Sequence, residues 1–89
     1  MPERALLIRN KLGLHARASA KLVETAGRYI SEITLSKDGI TVNAKSILGI
    51  MMLAAHQGST VILQAEGHDA EVALDALEDL IAERFGEAE

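Results

Sequence analysis

There is no cysteine among the 89 residues, so disulfides, iron–sulfur clusters and thiolate zinc sites are excluded and packing alone must hold the fold. A reducing compartment tolerates such a chain, and the cytoplasm is the expected location. No apolar run approaches the roughly eighteen residues that a membrane span needs, so no membrane partner is expected. No charged-then-apolar leader precedes the first apolar run, which suggests a soluble, unprocessed chain. Aromatic residues are nearly absent. Tyr29 and Phe85 stand alone, too few for a platform that stacks RNA bases. The net charge of -4 also argues against general affinity for nucleic acid. Walker loops, dinucleotide fingerprints and Ser-His-Asp arrangements are missing as well. His56 and His68 lack the helical i, i+4 spacing or close pairing of zinc ligands, so both read as solvated turn residues, and neither a metal nor a cofactor is expected.

What is present suits a globular fold. Nearly half of the residues are hydrophobic, and the length allows one small core, hence a single domain over residues 1–89. From Arg4 to Arg9 the run Ala5-Leu6-Leu7-Ile8 reads as a strand buried largely on both sides. Ala16, Ala20, Val23 and Ala26, with Leu22 alongside, recur at helical spacing, and Gly27 is placed to end that helix in the left-handed conformation. Glu32 to Ser36 alternates with Ile33 and Leu35 inward. Lys37-Asp38-Gly39 is a hairpin signal, and Ile40, Val42 and Ala44 share a face of the return strand.

Ser46 reads as the N-cap of a short helix running to about Leu53, with almost no polar face. Thr60 to Glu66 is a strand with Val61, Leu63 and Ala65 inward. Asp69 reads as the N-cap of a last helix that buries Ala73, Leu74, Leu77, Ile81 and Phe85, with Gly86 at its C-cap. The order is βαββαβα. It predicts an α+β open-faced sandwich, three helices over one face of a four-stranded sheet, although a ferredoxin-like order fits the same string.

Charge is unevenly spread. Lys11, Arg17, Lys21, Arg28 and Lys45 fall near the two helix starts and along the first helix. Glu66, Asp69, Glu71, Asp75, Glu78, Asp79, Glu83, Glu87 and Glu89 crowd the last quarter. Two readings remain open: solvated helix faces, or a basic face that steers acidic partners toward His15.

The chain is organised around Asn10 to Ala20, where Gly13 permits a sharp turn and His15 and Arg17 open the first helix. Helix starts leave backbone N–H groups unpaired and carry roughly half a positive charge, so they favour anions. The backbone amides of Ala16 and Arg17 would cradle a phosphate, and the Arg17 guanidinium could pair with one in a fork. An imidazole has a reference pKa of about 6.5 and is nucleophilic near neutral pH. Attack on a phosphoryl donor gives a labile phosphoramidate, and the helix terminus, worth roughly 0.3 to 2 kcal/mol, is too weak to trap the group. An isolated histidine in this position is more often a plain capping residue; the surrounding motif decides.

That motif, Gly13-Leu14-His15-Ala16-Arg17 followed by Lys45-Ser46-Ile47-Leu48-Gly49-Ile50-Met51, resembles the histidine-containing phosphocarrier (HPr) family of the bacterial phosphoenolpyruvate-dependent phosphotransferase system. The likeness covers essentially the whole chain. It implies an antiparallel four-stranded sheet with the helices packed on one side. It also implies a carrier rather than an enzyme: a phosphoryl group reaches the δ1 nitrogen of His15 from enzyme I and passes to a sugar-specific IIA component, with Arg17 stabilising charge. Many members have proline after the arginine, where this chain has Ala18, a change that bears on the stiffness of the first helical turn.

Ser46 aligns with the serine that HPr kinase/phosphorylase modifies, so it is a candidate regulatory site as well as a cap. Phosphate there suits the helix dipole but sets negative charge beside a docking face. Ile47, Leu48 and Met51, with Lys21, are candidate partner contacts; some of the apolar ones belong to the core, and Leu48 lies farthest from it. A monomer is expected, since His15 must meet several partners. Two rivals remain: a paralogous carrier that regulates nitrogen metabolism or gene expression, and a ferredoxin-like interaction domain that is never phosphorylated.

Overall fold

The computed structural model describes residues 2–88; Met1 and Glu89, the latter one of the acids of the last quarter, lie outside the described residues. The elements are β1 (Glu3–Leu7), α1 (Ala16–Ala26), β2 (Glu32–Lys37), β3 (Ile40–Asn43), α2 (Ile47–Met52), β4 (Thr60–Glu66) and α3 (Ala70–Ala82), then a short left-handed turn over Arg84–Gly86. The strands form one antiparallel sheet in the order β1-β4-β2-β3. The expected open-faced sandwich is thus observed. A ferredoxin-like sheet is also antiparallel but runs β4-β1-β3-β2 with the first strand inside; here β1 lies at the edge and pairs with β4, so strand order excludes that fold.

Alternation decides which face is covered. Val61, Leu63 and Ala65 of β4 and Ile33 and Leu35 of β2 are buried, and the register joins them as Ile33 with Ala65 and Leu35 with Leu63. Helix α3 packs over β1 and β4, α1 over α2 and α3, and α2 beside β3. The opposite face is polar. There the Ser36 and Thr41 hydroxyls meet at 2.8 Å, and Gln64 Nε2 donates to Glu3 at 2.7 Å. Among the described residues no helix is long and apolar enough to cross a membrane.

Several local expectations need correction. The first strand is not buried on both sides. It ends at Leu7 and lies at the sheet edge, with Ala5 and Leu7 on the uncovered face and Ile8 buried beyond it. Arg4, opposite Leu63 on the covered face, reaches Glu71, Asp75 and Glu78 of α3 at 3.1, 2.7 and 2.8 Å. Hydrogen bonds that it donates to Asp75 and Glu78 hold its guanidinium still more firmly protonated than usual.

In α1 the buried stripe is Ala18, Ser19, Leu22 and Ala26, while Ala16 and Ala20 are exposed. Alanines on both flanks made the apolar face ambiguous, and the large Leu22 settles it. Gly27 keeps right-handed angles at φ -66°, because the chain leaves α1 through further turns, with Arg28 N donating to Thr25 O and Tyr29 N to Ala26 O. The hairpin is as expected: Asp38 and Gly39 both have positive φ, and Lys37 pairs with Ile40. Ile40 is exposed nonetheless, since the helices cover only the Ala44 end of that face.

Asp69 does not cap α3 with its side chain. Its carboxylate reaches across the fold and accepts from Ile30 N at 2.9 Å, Ser31 N at 3.0 Å and the Ser31 hydroxyl at 2.5 Å. Gly67 allows the approach, because a Cβ there would stand 2.5 Å from Ser31 Oγ. The bond from Ser31 outweighs partial desolvation, and with the two backbone donors it holds the Asp69 carboxyl below the usual carboxylate range. A carboxyl with a lowered folded pKa stabilises above its ordinary value of about 3.9, and that stability is lost as pH falls through the lowered one. Asp69→Asn is therefore expected to melt clearly below the wild type at pH 7, with the gap closing toward pH 3. Thermal unfolding at the two pH values measures it, and an equal gap at both would remove the ionic part of this account.

Candidate functional site

The main chain of His15 is placed by the backbone contacts of its neighbours. Gly13 N donates to Asn10 O at 3.1 Å, closing the turn, and Leu14 N donates to Ala55 O at 2.9 Å, pinning it to the segment before β4. Gly13 has φ +66°, and a Cβ on it would lie 2.5 Å from Ala55 O and 2.8 Å from His56 Cα. Only glycine fits that approach. The next residues then enter α1 with His15 as N-cap: its carbonyl accepts from Ser19 N at 2.9 Å, and the Ser19 hydroxyl donates to Leu14 O at 3.2 Å.

The imidazole caps the helix with a ring nitrogen. Arg17 N donates to His15 Nδ1 at 3.3 Å, and His15 Nε2 lies 2.6 Å from Glu87 Oε2. Asn10 Nδ2 donates to Gly13 O at 2.7 Å and to Glu87 Oε1 at 3.1 Å. Partial burial tends to raise the Glu87 pKa, but hydrogen bonds from His15 and Asn10 hold it below the usual range. The ring edge faces an open groove lined by Lys11, Leu12, Ala16, Arg17, Glu87 and Ala88.

The expected site residues separate here. Ala16 and Arg17 open α1 beside the ring, and the Arg17 guanidinium lines the groove with no ion-pair partner among the described residues. Lys21 is engaged elsewhere, donating from Nζ to Phe85 O at 2.6 Å. Lys45 donates to Tyr29 O at 2.7 Å, and Arg28 pairs with Glu24. Ser46 caps α2, accepting from Gly49 N at 3.1 Å. On α2, which packs beside α1, Ile50 is buried whereas Leu48 and Met52 are each 76% exposed and Ile47 and Met51 about 40%. His56 and His68 are exposed, and among the described residues no cluster of three His, Cys, Asp or Glu side chains could hold a metal ion.

Glu87 and Asn10 escaped the sequence reading. Glu87 is 72 positions from His15 and carries no periodic signal; it looked like one more acid in an acidic tail. Asn10 looked like a turn residue, which it also is.

Fold and site define a small protein with one accessible histidine at a helix start, over an open groove rather than an enclosed cavity. A family model described as "PTS HPr component phosphorylation site" matches residues 2–83. The phosphocarrier protein HPr of Cupriavidus necator is 57% identical over 89 residues, the whole of both chains. The crystal structure of an HPr from Thermoanaerobacter tengcongensis superposes with a TM-score of 0.96 at 52% identity, again over both whole chains. The phosphocarrier protein NPr of Shewanella violacea is 44% identical over 86 residues, 97% of this chain and 94% of the relative. The chain belongs to the HPr family of phosphocarrier proteins.

The crowding at Gly13 gives a direct test. Gly13→Ala needs either a displaced 55–56 segment or a strained backbone, so a loss of about 1–3 kcal/mol is expected. Chemical denaturation measures the loss, and His15 resonances should shift with it. A fully stable variant with unmoved His15 signals would mean that the contact does not place the histidine.

Proposed function

We propose that this chain, residues 1–89 acting as a single cytoplasmic domain, accepts a phosphoryl group on His15 Nδ1 from phospho-enzyme I and passes it to a IIA component. The supporting observation is the imidazole at the start of α1, with Nδ1 turned to the Arg17 amide and the ring edge open to a groove. The Nδ1 lone pair forms the new N–P bond as the donor's N–P bond breaks. Phosphoryl oxygens then take up the amides of Ala16 and Arg17, with the Arg17 guanidinium free to pair with them. No cofactor takes part.

Docking falls to the apolar side chains that α2 leaves exposed, Leu48 foremost, with Ile47 and Met51 beside it. Lys21 contributes charge, although its ammonium already serves Phe85 O. Such a contact is small and suits a relay that must release each partner. Ser46 is the candidate regulatory site for an HPr kinase/phosphorylase. Its hydroxyl already caps α2, so a phosphate would keep the cap and add negative charge next to the docking residues. A second reading keeps the chemistry and changes the pathway: the NPr relative matches nearly the whole chain, so a regulatory circuit is an alternative to sugar uptake.

Incubation with phosphoenolpyruvate, magnesium and a bacterial enzyme I should add one acid-labile phosphoryl group, seen by intact mass and absent from His15→Ala. Failure with the enzyme I of the same genome, on folded protein, would refute the carrier reading. Leu48→Ala should raise the KM of enzyme I for this carrier several-fold, while stability stays within about 0.5 kcal/mol because the side chain is exposed. An unchanged KM would move the docking surface elsewhere.

A further inference from the structure

Two polar groups beside His15 are not consumed by the transfer chemistry: the Glu87 carboxylate and the Asn10 amide. A neutral imidazole carries one N–H and one lone pair, and its partners decide which nitrogen has which. The Arg17 amide, facing Nδ1, can only donate. Glu87, facing Nε2, is held as a carboxylate that can only accept. Both contacts demand the same tautomer, with the proton on Nε2 and the lone pair on Nδ1.

Asn10 is arranged to serve this. It is fully buried, and its Nδ2 donates to two acceptors, Gly13 O and Glu87 Oε1, which fixes the orientation of the amide. Its Oδ1 has no hydrogen-bond partner among the described residues. An unpaired buried acceptor is costly, so the donors are the reason for the amide.

The chain also reaches Glu87 by a strained path. Arg84 and Phe85 both have φ 56° and Gly86 has φ 80°, three successive residues in the left-handed region. The burial of Phe85 and the bond from Lys21 to its carbonyl hold this turn, and Glu87 N donates to Arg84 O at 2.9 Å. Two non-glycine residues in that region persist only where their surroundings over-determine them. The result of the turn is a carboxylate against the imidazole.

From this arrangement we infer that Glu87, oriented by Asn10, is a positioning residue that holds His15 as its Nε2–H tautomer and directs phosphoryl groups to Nδ1. The reaction it serves rests on the carrier reading; the tautomer does not. In transfer the Nδ1 lone pair forms the N–P bond, the electron pair of the broken bond stays with the donor nitrogen, and Nε2 keeps its proton. The phosphorylated ring is then cationic, and the Glu87 carboxylate balances it.

The test is nitrogen-15 NMR of the His15 ring in the full chain and in Glu87→Gln, with phosphoryl acceptance from phosphoenolpyruvate and enzyme I followed in parallel. Glutamine keeps the shape but offers either an oxygen or an amino group to Nε2. The wild type should show the proton on Nε2. Glu87→Gln should show mixed tautomers, acceptance slowed by about 10-fold or more, and part of the phosphate on Nε2. Asn10→Ala should shift in the same direction by less, and Glu83→Gln, an exposed acid nearby, should change nothing. If Glu87→Gln does not fold, Glu87→Asp keeps the charge on a shorter arm and should show the same tautomer mixing. An unchanged tautomer and unchanged acceptance in a folded Glu87 variant would overturn the inference. A wild type that accepts no phosphoryl group would overturn the carrier reading instead, and the ring nitrogens would still decide whether Glu87 orients His15.

Discussion

The backbone of Gly13 lies so close to Ala55 and His56 that no side chain fits between them, and the position of His15 follows from that contact. It is a consequence of the sheet. Where β1 ends and β4 begins, Ile8 and the 58–59 turn exchange backbone bonds, Ile8 N to Ser59 O and Gly58 N to Ile8 O, both at 2.9 Å. The chain leaving one strand and the chain entering the other are therefore held side by side. The 10–14 turn packs on its neighbour, Leu14 bonds to Ala55, and α1 has one direction in which to start. With the main chain of His15 set this way, the Arg17 amide and Glu87 have only the ring left to orient.

Charge is distributed by the same economy. The acids gather on α3, and Arg4, on the covered side of an edge strand, draws three of them into one ion cluster. Of the basic residues expected to form a steering face, Lys21 and Lys45 are bound to backbone carbonyls and Arg28 to Glu24. Arg17 is different, since its guanidinium lines the groove beside the histidine. Local placement, more than net charge, makes the His15 face hospitable to a phosphate on a chain that is acidic overall.

Much of the fold was legible because local chemistry and tertiary packing agreed. Asp38-Gly39 needs positive φ and has it; Thr60 to Glu66 alternates and is half buried; Ser46 can cap and does. The misreadings share a cause, which is that long-range contacts overrode a local signal. Asp69 had the right type and place for an N-cap, but two backbone amides and a hydroxyl from the 30–31 turn were a stronger set of donors. Phe85 continued the apolar period of α3, yet it reaches the core through a left-handed turn after the helix ends. Glu87 had no local signal at all. A carboxylate brought to an imidazole across 72 residues becomes visible only when the fold closes.

That contact bears on how a carrier of the proposed kind would avoid trapping its cargo. Before transfer, the Arg17 amide is bonded to Nδ1. In the proposed transfer the lone pair would form the N–P bond and the amide would pass to a phosphoryl oxygen, one acceptor replacing another. The ring would gain charge, and Glu87 already stands at Nε2 to balance it. The Arg17 amide and Glu87 would thus exchange or keep contacts already present in the empty state, which limits the net stabilisation that they would give a loaded form. A deep pocket or a dedicated cation cage would bind the group more tightly and release it more slowly. Under the proposed carrier role, an open groove, one helix terminus and one balanced imidazole would favour transfer in both directions, as a relay requires.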